Sequence, residues 1–165
     1  MSALHTAYIS VGSNLGNKLE NCRQGLQSLT ESGTCLTAQS HIYQTEPVDY
    51  TDQDWFINYA VKIETDLDPF QLMERIQTIQ RNAGRTRDKI RFGPRILDLD
   101  IIFYEEVVIY SAQLTIPHPR MHERRFVLQP LCDINSSIRH PVLRVEVQSL
   151  LNSLDDKEQR IRHYR

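Results

Sequence analysis

The stretch Arg95-Ile96-Leu97-Asp98-Leu99-Asp100-Ile101-Ile102-Phe103-Tyr104 constrains this chain most. It reads as a buried β-strand carrying two carboxylates. Side chains alternate faces along a strand, so Asp98 and Asp100 point the same way, with Cα atoms ~7 Å apart. Leu97, Leu99 and Ile101 then fill the other face. A fold that accepts this strand must bury one face and leave room on the other. Two carboxylates beside a core are costly unless something cationic meets them. Mg²⁺ suits such a pair, because it takes one or two carboxylates and completes its shell with water and phosphate.

The rest of the chain supplies the partners of that strand. Ala7–Val11 is a short apolar strand, followed by the turn Gly12-Ser13-Asn14-Leu15-Gly16-Asn17. Leu19, Cys22, Leu26 and Leu29 then recur at near-helical spacing. Leu36–Tyr43 is a second strand, Thr45–Asp54 a long polar loop and Phe56–Thr65 a third strand. Asp68-Pro69 starts a helix, with Asp as N-cap and Pro at its first position, and Gly84 stops it. Glu105-Glu106 is expected to turn the aspartate strand into a hairpin with Val107–Tyr110. The prolines of Ile116-Pro117-His118-Pro119 exclude a central strand there. Glu123–Leu128 reads as a short helix stopped near Pro130, and Glu146–Leu154 as a last helix. Asp155–Arg165 is charged and expected to fray.

The order β-α-β-β-α-β predicts an α+β fold, a ferredoxin-like βαββαβ core with an additional C-terminal hairpin and helices. Its sheet is expected to be mainly antiparallel, with the two major helices on one face. At 165 residues the chain is read as one domain, 1–165, able to bury a real core.

A net charge of −2 gives no global basicity, which argues against nucleic acid as a partner. Cys22, Cys35 and Cys132 form no metal or redox spacing and read as free thiols of a reducing compartment. The opening Met1–Thr6 lacks a basic or apolar leader pattern, and no apolar run reaches membrane-spanning length. A cytoplasmic chain with no membrane partner is therefore expected.

Any polyanion must meet a local cluster of cations. Arg81, Arg85, Arg87, Lys89, Arg91 and Arg95 crowd the segment before the aspartates, against one acid, Asp88. Gly84, Gly93 and Pro94 make it a loop. Guanidiniums offer rigid forks to phosphate oxygens. Cations, carboxylates and a metal together describe a phosphoryl-transfer site. There is no Walker A sequence and no GxGxxG, and the Gly12–Asn17 turn is read as a strand-to-helix connection. A second cluster, Ile116-Pro117-His118-Pro119-Arg120-Met121-His122-Glu123-Arg124-Arg125-Phe126, sets His118 and Arg124 where an anion can meet both. Its His122 and Glu123 make no zinc motif. Phe56 and Phe126 are core candidates that can also stack a flat bicycle, with Asn58 offering a donor and an acceptor to its rim.

Together these segments resemble the 6-hydroxymethyl-7,8-dihydropterin pyrophosphokinase family of folate biosynthesis. The resemblance runs from Tyr8-Ile9-Ser10-Val11-Gly12-Ser13-Asn14-Leu15-Gly16 to about Ile134. It is most distinctive in Gly93–Ile101 and Ile116–Phe126. It implies transfer of a pyrophosphoryl group from ATP to the pterin's hydroxymethyl oxygen, releasing AMP. Asp98 and Asp100 would hold two Mg²⁺, and Arg85 and Arg95 would be catalytic. Gln77, Arg87, Arg91, Ile101, His118 and Arg124 would meet ATP. Thr45, Val48, Phe56, Asn58 and Phe126 would meet the pterin. A monomer is expected. Phe92, Gln80 and Phe56 stand where some members carry Trp, Glu and Tyr. Two rivals fit the carboxylates alone: a metal-dependent phosphodiesterase and a non-catalytic sensor of the same fold. ATP, Mg²⁺ and the hydroxymethyl pterin separate them by product.

Overall fold

In the computed structural model, residues 3–84, 91–155 and 157–165 are described. Strand β1 (His5–Ser13) leads into helix α1 (Lys18–Leu29), capped by Asn17, whose side chain accepts from Glu20 N at 3.2 Å. Strand β2 (Thr34–Gln39) and strand β3 (Tyr43–Thr45) follow, then β4 (Phe56–Thr65). Helix α2 (Pro69–Asn82) opens on a reciprocal capping box between Asp68 and Gln71. Gly84, at φ +99°, follows its last turn. Strand β5 (Asp98–Tyr104) carries the two aspartates. Short strands β6 (Ile109–Tyr110) and β7 (Thr115–Ile116) precede a 3₁₀ turn at Met121–Glu123. Helix α3 (Arg125–Asn135), helix α4 (Val147–Asn152) and strand β8 (Ile161–His163) complete the fold.

The main sheet runs β5-β1-β4-β3-β8, with β2 also on β4, and every pairing is antiparallel. The expected βαββαβ core is present. One face packs on α1 and α2 through Ile9, Val11, Val61, Ile63, Leu72, Ile76, Leu97, Leu99 and Ile101. The other face is covered at one end only, where α3 and α4 pack Met121, Val127, Leu128, Leu131 and Val147 on Ala60, Ile102 and Phe103.

Four local expectations need correction. The second strand is two strands, because Ser40 interrupts it: its Oγ accepts from Ala60 N at 2.9 Å and so replaces a ladder carbonyl. The strand after Glu105-Glu106 pairs with β7 and not with β5. Pro130 lies inside α3, which continues to Asn135 because burial of Val127, Leu128 and Leu131 outweighs the lost backbone donor. The C-terminal segment does not fray at its end. Ile161–His163 add a strand to β3, held by the Arg160–Glu46 pair at 3.2 Å and by Arg160 and Arg162 over the Trp55 ring. That pair also holds the Glu46 carboxyl below its ordinary range.

Candidate active site

The aspartates lie where the second face loses its apolar cover. Asp98 is opposite Gly12 and Asp100 opposite Ser10 on β1, and β4 continues that row with Asn58 and Ala60. Alternation puts Asp98, Asp100, Asn58 and Phe56 on the α3 side, away from Leu97, Leu99 and Ile101. At Ile102 the register slips, since Tyr8 faces Phe103 and Ile9 faces Ile101. The bulged Ile102 and its neighbour Phe103 both turn toward α3. The Ile102 carbonyl accepts from His118 N at 3.1 Å, so the irregularity in the aspartate strand fixes the backbone of the second cluster.

A cavity of about 80 Å³ opens on this face. Thr45, Val48, Phe56, Asn58 and Phe126 all line it, as do Phe92, Arg95, Asp98 and Arg124. Asn58 is 5% exposed and donates to Thr45 Oγ1 at 2.7 Å. Gly12 makes this possible: a Cβ there would lie 2.3 Å from Asn58 Oδ1. A larger cavity, about 410 Å³, lies between α1 and α2 beside Gln24, Ser28, Arg75 and Thr78. It is on the opposite face from the carboxylates, so size does not identify the site.

The electrostatics favour an anion above the carboxylates. His118 Nδ1 accepts from Arg120 N at 3.2 Å, which leaves Nε2–H as the ring's donor. Burial, then the Arg124 charge, push this imidazole down to about 4, against the pull of Asp98, so it is neutral near pH 7. Burial and the nearby Arg120 also lower the Arg124 guanidinium, while Asp100, Asp49 and Asp98 raise it. Arg124 Nε is buried and makes no hydrogen bond to any described residue. A buried donor of this kind suits a phosphate oxygen. Asp98 and Asp100 supply two carboxylates on one face, and the described residues contain no group of three or more His, Cys, Asp or Glu around them. This donor set fits Mg²⁺ that shares its shell with phosphate and water.

Several expected contacts are not gathered here. Arg85 and Arg87 lie outside the described residues. Arg91 is exposed, with its guanidinium 4.8 Å from the Phe92 ring centroid. Gln77 is exposed on α2, and the Ile101 side chain is buried in the core on the other face. Ile101 can therefore meet a nucleotide only through its backbone.

Three residues emerge that sequence reasoning did not assign. Asn14, 1% exposed, accepts from Arg95 N at 2.7 Å and donates to Gln53 Oε1 at 2.9 Å and Asp54 O at 3.0 Å. Gln53 donates in turn to Phe92 O at 2.9 Å and Tyr50 O at 2.7 Å. Gln80, 7% exposed, accepts from Leu99 N at 2.8 Å, between the two aspartates. The amide thus does what a carboxylate there would do as an acceptor. In the sequence, Asn14 is marked only by its Gly-Ser-Asn turn and Gln80 by standing where some family members carry Glu, and nothing marks Gln53.

The chain's likeness to solved structures defines its fold first: an α+β domain that superposes on part of HPPK-DHPS chains. A crystal structure of an HPPK-DHPS in complex with substrates superposes with TM-score 0.72 at 15% identity, over 92% of this chain and 43% of that one. The Plasmodium falciparum HPPK-DHPS A437G with SDX-DHP gives 0.73 at 16%, over 92% and 46%. The sequence is more specific. The profile of the 7,8-dihydro-6-hydroxymethylpterin-pyrophosphokinase (HPPK) family matches residues 8–136, and the chain belongs to that family. It is 44% identical to the Bacillus subtilis 2-amino-4-hydroxy-6-hydroxymethyldihydropteridine pyrophosphokinase, over 85% of this chain and 84% of that one. The Haemophilus influenzae protein of the same name is 38% identical over 92% and 95%. The mitochondrial folate synthesis bifunctional protein of Arabidopsis thaliana is 47% identical over 82% of this chain, which spans only 24% of its length. Among the described residues, no helix is long and apolar enough to cross a membrane.

Proposed function

We propose that the Asp98 face is the centre at which pyrophosphate passes from ATP to the hydroxymethyl oxygen of 6-hydroxymethyl-7,8-dihydropterin, yielding the pterin diphosphate and AMP. One observation carries this reading: a single cavity combines Phe56, Phe126, Asn58, Thr45 and Val48 with Arg95, Asp98 and Arg124. Two rings and a planar amide suit a heteroaromatic bicycle. A carboxylate and arginines at the same cavity suit phosphate.

Asp98 and Asp100 would hold the two Mg²⁺, which when bound supply charge neutralisation on the phosphates. The chain's own residues do the rest. Phe56 and Phe126 stack the pterin and Asn58 orients its rim. The hydroxymethyl oxygen then attacks the β-phosphorus, and the bond from that phosphorus to the oxygen of AMP breaks. Arg95 and Arg124, with Arg85, Arg87 and Arg91 before them, meet the charge that spreads over the phosphate oxygens. His118, held neutral, donates from Nε2. Gln77, exposed on α2, and the Ile101 backbone are the remaining proposed nucleotide contacts. The sequence offers no obvious general base, and positioning is expected to supply most of the acceleration. In this reading the chain is a cytoplasmic monomer whose partners are its two small substrates.

Incubation with ATP, Mg²⁺ and the hydroxymethyl dihydropterin tests the reading. The expected result is AMP and pterin diphosphate in equal amounts. ADP as the nucleotide product, or AMP without a pterin product, would refute it.

A further inference from the structure

One contact at the mouth of this cavity belongs to none of the roles above. Asp49 sits on the loop that continues the cavity wall from Thr45 to Val48, at φ +66°. Its carboxylate accepts a two-pronged bond from Arg120, Nη1 to Oδ2 at 3.0 Å and Nη2 to Oδ1 at 3.1 Å. Arg120 lies in the segment that brings Arg124 and Phe126 to the cavity, where its backbone N–H donates to His118 Nδ1 and its Nε lies 3.6 Å from Glu123. Its guanidinium also lies 5.4 Å from the centroid of Phe92, a third wall residue. One arginine therefore ties together the Asp49 loop, the Phe92 turn before the aspartates and the His118–Arg124 segment, three pieces of chain that line or adjoin the cavity.

We propose that the Asp49–Arg120 pair is a clasp that sets pterin affinity by holding the outer wall of the cavity closed. This rests on the pterin reading of the cavity given above. Both residues act as positioning residues, since the guanidinium is occupied by Asp49 and the carboxylate by Arg120. The side chains of Asp49 and Arg120 are 30% and 39% exposed, so the pair adds little to global stability. What it adds is order in a loop that has no regular structure between Thr45 and Phe56. Ordering a binding wall in advance lowers the entropy lost when the ligand enters. Affinity should therefore respond more than stability does.

The test is a double-mutant cycle with Asp49→Asn and Arg120→Gln. Asn is chosen because it tolerates a positive φ, so the backbone is not strained. The probe is 6-hydroxymethylpterin, titrated by its fluorescence with Mg²⁺ and α,β-methylene-ATP, whose carbon bridge replaces the bond that would break. Each single variant is expected to weaken pterin binding by about fivefold, the size of one well-formed ion pair. The double variant should also weaken it by about fivefold, and urea midpoints should barely move. Losses that multiply to about 25-fold in the double variant, or single variants that bind like the wild type, would overturn the clasp. A wild-type chain that binds no pterin would overturn the reading of the cavity instead.

Discussion

Replacing Gly12 by alanine tests whether the pterin side of the site depends on an absent methyl group. A Cβ at this position would lie 2.3 Å from Asn58 Oδ1, 3.3 Å from its Cγ and 3.4 Å from the Ile57 carbonyl. The backbone has little room to yield, because Gly12 pairs with Asn58 on β4 and with Asp98 on β5. The carboxamide must turn away and lose its 2.7 Å bond to Thr45 Oγ1. Asn58 and Thr45 are 5% and 2% exposed, so water does not replace the bond freely. A buried polar group left unsatisfied costs ~1–3 kcal/mol, and we expect Gly12→Ala to destabilise the fold by about 2 kcal/mol. The same argument fixes a second result. In an Asn58→Ala background the obstacle is gone, and Gly12→Ala should cost under ~0.5 kcal/mol or stabilise slightly, since glycine inside a strand is itself unfavourable. Urea unfolding of the wild type, both single variants and the double variant gives the cycle. Costs that add within ~0.5 kcal/mol would show that Gly12 and Asn58 are energetically independent, and the steric argument would fail.

Asp100→Ala should leave a folded chain, as judged by circular dichroism, with AMP formation reduced at least ~10³-fold, beyond the loss of one ordinary charge-stabilising contact. Near-normal turnover would remove Asp100 from the metal site. For His118 the imidazole value is about 4 in the folded chain against 6.5 ordinarily, so between these values the unfolded chain binds more protons. Stability is then full above pH 6.5 and falls with pH through 4, by about 3 kcal/mol in total. His118→Asn should flatten that part of a urea-midpoint profile measured without metal or nucleotide, and an unchanged slope would refute the assignment. Gln80→Leu should cost ~1–3 kcal/mol by stranding Leu99 N, and Gln80→Glu, which keeps an acceptor, should cost less; equal losses would count against the edge bond.

Periodicity made most of the βαββαβ core legible, because β1, α1, β4, α2 and β5 each have an apolar face buried on a neighbour, whereas β2 is largely exposed. Phe56–Thr65 is a strand over the span its alternation implied, and the Asp68-Pro69 start of α2 is a capping box. The features that escaped depend on contacts distant in sequence. Nothing local in Arg160-Ile161-Arg162-His163 marks a strand; β3 and Glu46, more than a hundred residues away, create it. Pro130 argued for a helix stop on local grounds and lost to burial. In the site, residue types whose chemistry is rare in a core were conspicuous: the paired aspartates and the His118–Phe126 cluster. Asn14, Gln53 and Asp49 were not, because a short polar side chain in a loop looks the same whether it faces solvent or stitches two loops together.

The position of the site follows from an uneven second face of the sheet. Helix α3 supplies enough apolar surface to cover Ala60, Ile102 and Phe103 but not the row that begins at Gly12, Asn58 and Asp98. A regular β5 would send Phe103 to the opposite face and leave α3 a smaller platform. The bulge at Ile102 instead turns two large residues toward α3 and leaves a carbonyl for His118 N. One extra residue thus does two things: it anchors the helix that ends the apolar cover, and it sets the imidazole beside the uncovered carboxylates. Deleting Ile102 should therefore disturb the α3 packing and the His118 position together, whereas Ile102→Val, which keeps the bulge, should trim only the packing by about 1 kcal/mol.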